Sequence, residues 1–252
     1  MYLDTDRLET GRPTWNLRDD DQLQETFGEL GLESRAPIVV TGRSMIAAAR
    51  VAWTLRYVGA ERVSLLSDGL TGWIRRGYPT ATRHVQARSV RFAGTVRKEM
   101  RASLWQLENA ADAWIADVRS PAEFRGEVSG YSYLAARGRI PGSIHAGDAD
   151  DHAGVYVDAD GRLSSPETIA ALWESRGLHL NATATRFEKD VVFVCGGGWR
   201  ASLAYWFAYS LGIRNAKVCP EGWGGWSTVY APDSASPSGY RQLPTGRLFA
   251  IG

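Results

Sequence analysis

The chain has 252 residues, 44% of them hydrophobic and 23% charged, enough to bury one large core or two modest ones. Its formal net charge of +1 excludes the basic footprint of a nucleic-acid binder and the polybasic patch of a chain held on a membrane surface. The start, Met1-Tyr2-Leu3-Asp4-Thr5-Asp6-Arg7, has no apolar leader and no later stretch reaches the length of a membrane span, so a reducing, cytoplasmic setting is expected.

In chain order, the first strand is expected at Ile38-Val39-Val40, followed by the loop Gly42-Arg43-Ser44-Met45-Ile46-Ala47, a helix, a Val58-Gly59 stop and a second strand from Arg62 to Leu66. Asp68-Gly69-Leu70-Thr71-Gly72-Trp73 comes next. Thr80 to Val90 is polar, basic and free of helical periodicity, and reads as a join. A strand near Val90 to Val96 and an amphipathic helix from Ser103 to Ala111 lead into Trp114-Ile115-Ala116-Asp117-Val118. Further on, the apolar strand Val191-Val192-Phe193-Val194 runs into Cys195-Gly196-Gly197-Gly198-Trp199-Arg200. A helix over Ala201 to Leu211, a strand over Ala216 to Cys219 and Glu221-Gly222-Trp223-Gly224-Gly225-Trp226 follow. The tail from Pro232 to Gly246 is rich in Pro, Ser and Gly and reads as surface loop.

Placing Asp68-Gly69 over Glu221-Gly222 sets an offset of 153, and the same offset puts Trp53 on Trp206 and Gly59 on Gly212. The chain therefore holds two related units. Strands that alternate with helices, and that are apolar throughout, argue for parallel sheets covered on both faces. Ligands of such sheets bind beyond the carboxyl ends of the strands, where Cys195 falls. The offset places Gly42 under Cys195, so the first unit has no nucleophile; Ser44 is the one hydroxyl in its loop, with no histidine nearby in sequence to activate it.

Three consecutive glycines let the backbone curl around the Cys195 sulfur and aim N–H groups at it, while the next helix N-terminus and Arg200 add positive charge. Each favours the thiolate, which is the nucleophile. Cys219, at the end of a strand, reads as a structural core thiol. The histidines His84, His145, His152 and His179 have no metal-ligand spacing, and the glycine run lacks the Lys-Ser/Thr pair of a phosphate-binding loop. No metal and no cofactor is expected beyond a covalent persulfide on Cys195.

The arrangement C-x-x-G-x-R between strand and helix resembles the active-site loop of the rhodanese (sulfurtransferase) family. Asp117-Val118-Arg119-Ser120-Pro121-Ala122-Glu123-Phe124 is similar to that family's D-x-R-x-x-x-E-[FY] segment. Gly138-Arg139-Ile140-Pro141-Gly142-Ser143 is similar to its G-H-I-P-G-A turn, with Arg139 where His is usual, and the Glu221 to Trp226 stretch also fits. The resemblance implies an α/β fold of two rhodanese-like domains, each a mainly parallel sheet flanked by helices. Residues 1–85 would form an inactive domain truncated by the loss of its opening strand, 86–100 a linker and first strand region, and 101–252 the catalytic domain. Tyr2 to Asp6 reads like the segment after the I-P-G turn, so either the first domain is truncated with an exposed sheet edge or another segment or a partner chain fills the gap. Cysteine-loop phosphatases share this fold but need seven positions from Cys to Arg; Cys195 to Arg200 spans six, which favours sulfur.

The resemblance further implies that Cys195 takes sulfur from a sulfane donor such as thiosulfate or polysulfide and passes it to a small-molecule acceptor. Arg119 would reach toward an anionic donor, or alternatively pair with Glu123 or Asp117. Asp117 is expected to be structural, and Arg200 to brace the loop as well as charge it. The connection from Arg125 to Gly138 is longer than usual and brings Tyr131 and Tyr133 to the pocket mouth. With Trp199, Trp223 and Trp226 these rings form faces suited to a planar or quaternary-ammonium molecule; the alternative for the indoles is core packing. The combination of C-G-x-G-W-R with S-G-Y-x-Y resembles the rhodanese-type ergothioneine synthases of anaerobic bacteria, which insert sulfur into the imidazole of trimethylhistidine, with Val194 where that subgroup tends to carry tyrosine. The alternatives are a general thiosulfate or 3-mercaptopyruvate sulfurtransferase, and a regulatory module that binds polysulfide without turnover.

Overall fold

The computed structural model describes residues 1–11, 15–83, 85, 87–147, 154–232, 240 and 241. These residues form two compact units, one of Met1–Arg101 with Tyr156–Ser164, the other of Ala102–Val155 with Ser165–Gly252. No helix among the described residues is long and apolar enough to cross a membrane.

In the first unit α1 (Asp20–Glu29), β1 (Pro37–Val40), α2 (Met45–Tyr57), β2 (Arg62–Leu65) and α3 (Gly69–Arg75) follow in order. β1 and β2 pair in parallel with Ile38 opposite Val63. Ser44, the hydroxyl weighed in the first loop, caps α2 by accepting from the Ala47 N–H at 3.3 Å. α2 buries Ala49, Ala52 and Trp53, and Trp53 stacks on Tyr57 one turn later at 5.2 Å.

The stretch expected as linker and first strand is part of this unit, and its described residues form no strand. Its backbone is satisfied by partners elsewhere in the unit: the Val90 N–H donates to the Gly28 carbonyl at 2.9 Å, Gln24 Nε2 donates to the Gly94 carbonyl at 2.7 Å, and the Arg97 N–H donates to the Tyr57 carbonyl at 2.7 Å. Polar composition marked it as a join because side-chain and loop partners, not a ladder, hold it. The first unit also takes in a later segment of the chain. Tyr156–Ser164, from the second half of the sequence, belongs to the first unit: the Leu163 N–H donates to the Ser67 carbonyl at 2.9 Å, and Arg162 pairs with Asp68 at 2.9 Å.

The second unit runs α4 (Leu104–Glu108), β3 (Ala113–Asp117), α5 (Pro121–Phe124), β4 (Ile144–His145), α6 (Pro166–Ser175), β5 (Asp190–Val194), α7 (Trp199–Ser210), β6 (Ala216–Val218) and α8 (Gly222–Val229). A short antiparallel pair, Ala231–Pro232 with Tyr240–Arg241, follows. The sheet order is β4-β3-β5-β6, every neighbour parallel. β5 is buried on both sides, as its unbroken apolar run requires. Val192 and Val194 face Trp223, Trp226 and Tyr230, while Phe193 packs on Trp173 at 5.2 Å and on Phe187 at 6.2 Å.

The repeat extends to individual hydrogen bonds. The Leu70 N–H donates to the Gly42 carbonyl at 3.0 Å, and at the same offset the Trp223 N–H donates to the Cys195 carbonyl at 2.6 Å. Gly69 and Gly222 share positive φ, +58° and +51°, and a Cβ on Gly222 would lie 2.3 Å from the Cys195 carbonyl oxygen. The units differ beside β1: among the described residues no strand pairs with β1 as β3 pairs with β5. Val39 is accordingly 66% exposed, whereas its counterpart Val192 is 4% exposed.

Candidate active site

β5 ends at Val194, and the chain turns through Cys195-Gly196-Gly197-Gly198 into α7. Gly198 makes the turn possible, with φ +81° at the helix N-cap. Cys195 is a free thiol and buried. Gly197 and Trp199 are half-buried beside it in sequence. The loop carbonyls of Cys195 and Gly196 accept from the Trp223 and Gly224 N–H groups of α8, at 2.6 and 2.8 Å. One N–H expected to face the sulfur is committed elsewhere: that of Gly196 donates to the Tyr131 hydroxyl oxygen at 3.1 Å.

Arg200 makes a two-pronged ion pair with Glu123, Nη1 to Oε2 at 2.7 Å and Nη2 to Oε1 at 2.8 Å, and Nη2 also donates to the Tyr131 hydroxyl oxygen. Glu123 is positioned by its own helix. In the capping box Ser120-Pro121-Ala122-Glu123, the Ser120 N–H donates to Glu123 Oε2 at 2.9 Å and the Glu123 N–H donates to Ser120 Oγ at 3.2 Å. Gly130, at φ +77°, lies where a Cβ would sit 2.2 Å from the Glu123 carboxylate, so the chain crosses that carboxylate closely and delivers Tyr131 to Arg200. The Ser-Gly-Tyr stretch is thus explained by packing on Glu123.

These groups share one field. Burial pushes the Glu123 carboxyl upward, but Arg200 and the Ser120 N–H reverse the effect and hold it below its ordinary value. Burial also opposes the charge on Arg200, yet Glu123, Tyr131 and Cys195 keep that guanidinium firmly protonated. Burial and the neighbouring Cys195 raise the Tyr131 phenol well above its usual range, with Arg200 acting in the opposite sense.

Arg119 takes the alternative that pairs it with aspartate. Its Nε and Nη2 bond to Asp117 at 3.0 and 2.7 Å, Nη2 also donates to the Gly138 carbonyl at 2.8 Å, and the guanidinium lies 5.1 Å over the Trp223 ring. Only Nη1 has no partner among the described residues. Trp223 and Trp226, expected as ring faces for a substrate, are core residues: Trp223 is 0% exposed with Nε1 donating to the Ala136 carbonyl at 3.1 Å, and Trp226 packs on Tyr230 at 4.2 Å. Tyr133 is 41% exposed, its ring 5.4 Å from that of Tyr131. Arg139 stacks 5.0 Å over Phe124. Cys219 lies in the core, its thiol raised well above the ordinary range by burial and by Glu221. The residue whose part in the site was missed is Glu123. Its S-x-x-E capping box was readable, but the partner, 77 positions away at Arg200, was not.

A family model for the rhodanese-like domain matches residues 100–228. Thiosulfate sulfurtransferase YnjE of Escherichia coli K12 is 32% identical over 238 residues, covering 90% of this chain and 52% of that protein. Thiosulfate sulfurtransferase of Azotobacter vinelandii is 30% identical over 239 residues, covering 89% of this chain and 80% of that protein. Among solved structures, the anaerobic ergothioneine biosynthesis enzyme from Chlorobium limicola, in complex with its natural substrate trimethyl histidine, matches with a TM-score of 0.80 and 30% identity over 90% of this chain and 57% of that one. A persulfide form of EanB with ergothioneine, in a tetrahedral intermediate state, matches with a TM-score of 0.81 and 27% identity over 96% of this chain and 60% of that one. The chain thus spans about half the length of YnjE and little more of these two structures.

Proposed function

This chain belongs to the rhodanese-like domain family, and on that footing we propose that it is a sulfurtransferase whose Cys195 carries sulfane sulfur to an imidazole of the trimethylhistidine type. The Cys195 thiolate attacks the outer sulfur of thiosulfate, or a sulfur of polysulfide, forming a persulfide and releasing sulfite or a shortened polysulfide. The terminal sulfur then bonds to the ring carbon between the two nitrogens. That carbon loses its proton, the sulfur–sulfur bond breaks, and its electron pair returns to Cys195 as thiolate. The carbon is oxidised by two electrons and the sulfane sulfur is reduced by two.

The observation that carries this reading is the Tyr131 hydroxyl, anchored to the N–H of the residue after Cys195 and to Arg200. A ring carbon becomes electrophilic when a ring nitrogen is protonated, and a phenol placed at the sulfur-bearing loop can supply that proton. Transfer of sulfur to cyanide needs no such donor. The relatives named for trimethyl histidine and for ergothioneine support the same acceptor.

Loading with thiosulfate or polysulfide should add sulfur to the chain by intact mass, Cys195→Ser should add none, and Cys219→Ser should load as the parent does. With loading preserved, Tyr131→Phe should slow transfer to trimethylhistidine at least tenfold, while transfer to cyanide persists. Equal loss of both transfers would mark a folding defect; loss of neither would return Tyr131 to packing.

A second reading, a general thiosulfate or 3-mercaptopyruvate sulfurtransferase, is favoured by the burial of Trp223 and Trp226, which leaves fewer ring faces for a cationic acceptor. The names of the Escherichia coli and Azotobacter vinelandii relatives, both thiosulfate sulfurtransferases, also fit it. Steady-state turnover with cyanide but none with trimethylhistidine would select it, and loading without release to any acceptor would instead select a regulatory polysulfide-binding module.

A further inference from the structure

We propose that Glu123 is a positioning residue for the acceptor step: through Arg200 it orients the Tyr131 hydroxyl so that this phenol can only donate a hydrogen bond into the site. The inference rests on the reading of Tyr131 as the proton donor to the acceptor ring. It begins from how fully the guanidinium is committed. Arg200 Nη1 donates to Glu123 Oε2, and the two hydrogens on Nη2 go to Glu123 Oε1 and to the Tyr131 oxygen. A planar fork held at both prongs cannot swing. The carboxylate that holds it is itself clamped by the Ser120 N–H and by Gly130 passing over it.

The Tyr131 oxygen accepts from Arg200 and from the Gly196 N–H, which occupies both of its lone pairs. Its own hydrogen is thereby directed away from both donors. A neutral phenol so placed donates to an acceptor nitrogen and accepts nothing from it. When the proton has left, the same two donors stabilise the phenolate, as a pair of donors stabilises an oxyanion.

The charged and titratable groups facing Tyr131 are Cys195 on the loop, Arg200 on α7, Glu123 on α5, Arg119 ahead of α5, and Tyr133 on its own segment. Burial and Cys195 raise the phenol and Arg200 lowers it, while Glu123 adds to the rise. Removing the Glu123 charge leaves Arg200 uncompensated, so the phenol loses its proton at lower pH. Because the protonated phenol is the competent form, the alkaline limb of transfer must move to lower pH with it.

The test places a single difluorotyrosine at position 131, whose intrinsically more acidic phenol titrates while the chain stays folded, and follows it by fluorine NMR with Glu123 present and in Glu123→Gln. The expected midpoint in Glu123→Gln is lower by about one pH unit, and the alkaline limb of single-turnover transfer to trimethylhistidine moves down equally. An unmoved midpoint in a folded Glu123→Gln chain overturns the proposal. If that variant does not fold, Glu123→Asp carries the test. Its shorter carboxylate cannot hold both guanidinium nitrogens, so the midpoint should fall by less than one unit, and no fall overturns the proposal. A midpoint that moves in a chain that passes sulfur to cyanide and never to trimethylhistidine would instead sink the acceptor reading and leave the coupling of Glu123 to Tyr131 standing.

Discussion

Trp223 gives its indole N–H to the Ala136 carbonyl and its ring face to the Arg119 guanidinium, and has no exposed surface. Truncating it empties a large core volume and removes a hydrogen bond, so Trp223→Ala is expected to cost about 3–5 kcal/mol of stability in urea unfolding. Tyr133→Ala, at a surface ring, is expected to stay within about 0.5 kcal/mol. An equal loss for both would contradict the division between core indoles and a surface phenol. Acid titration probes Glu123. Its carboxyl is depressed in the folded chain, so its contribution is present above the ordinary value of 4.5 and is lost as pH falls through the depressed one. The stability gap between the parent chain and Glu123→Gln should therefore be largest near neutrality and shrink as pH drops below 4.5. A gap that stays constant to the foot of the acid limb would mean that the Arg200 pair does not hold the carboxylate ionised.

At the scale of elements, the two units use one plan under different cover. α8 closes on the Cys195 loop through the Trp223 N–H, as α3 closes on Gly42 through the Leu70 N–H. Both closures depend on a glycine at the helix start with positive φ. Gly222→Ala would bring a methyl to within 2.3 Å of the Cys195 carbonyl oxygen, so it should both destabilise the fold and slow persulfide loading. The corresponding Gly69→Ala should destabilise without slowing loading, because the Gly42 loop carries no thiol. The strands give a second contrast. Val192→Thr places a hydroxyl in a closed core and is expected to cost about 1–3 kcal/mol, whereas Val39→Thr, at a site two-thirds exposed, should cost less than about 0.5 kcal/mol.

For the molecule as a whole, the chain order of the sequence is not the order of the units. Tyr156–Ser164 leaves the second half of the chain to complete the first unit, with Leu163 bonded to Ser67 and Arg162 to Asp68. Leu163→Pro removes the N–H that reaches Ser67 and should loosen the first unit, seen as faster hydrogen exchange around Ser67 and α3, with exchange in β5 and α7 unaltered. Protection lost equally in both units would mean that the segment does not belong to the first alone. The membership of the chain in the rhodanese-like domain family and its parallel α/β plan were legible because they are carried by short stretches, the apolar runs, the Cys-Gly-Gly-Gly turn and the Asp-x-Arg segment, and by the repetition of such stretches at an offset of 153.

What the sequence determined by itself was therefore whatever depends on neighbours in the chain: β5 running into the Cys195 turn, α7 after it, the S-x-x-E cap of α5, and the absence of a thiol at Gly42. What only the tertiary structure decided was partnership across long separations. Arg200 chose Glu123, 77 positions away, and the indoles of Trp223 and Trp226 turned into the core, that of Trp223 onto the Ala136 carbonyl. The physical reason is that a buried charge or ring must find a complement in three dimensions, and several residues in the sequence could have supplied each one. Which of them does so follows from the register of the sheet and from the close crossing at Gly130, neither of which is written in any short stretch of chain.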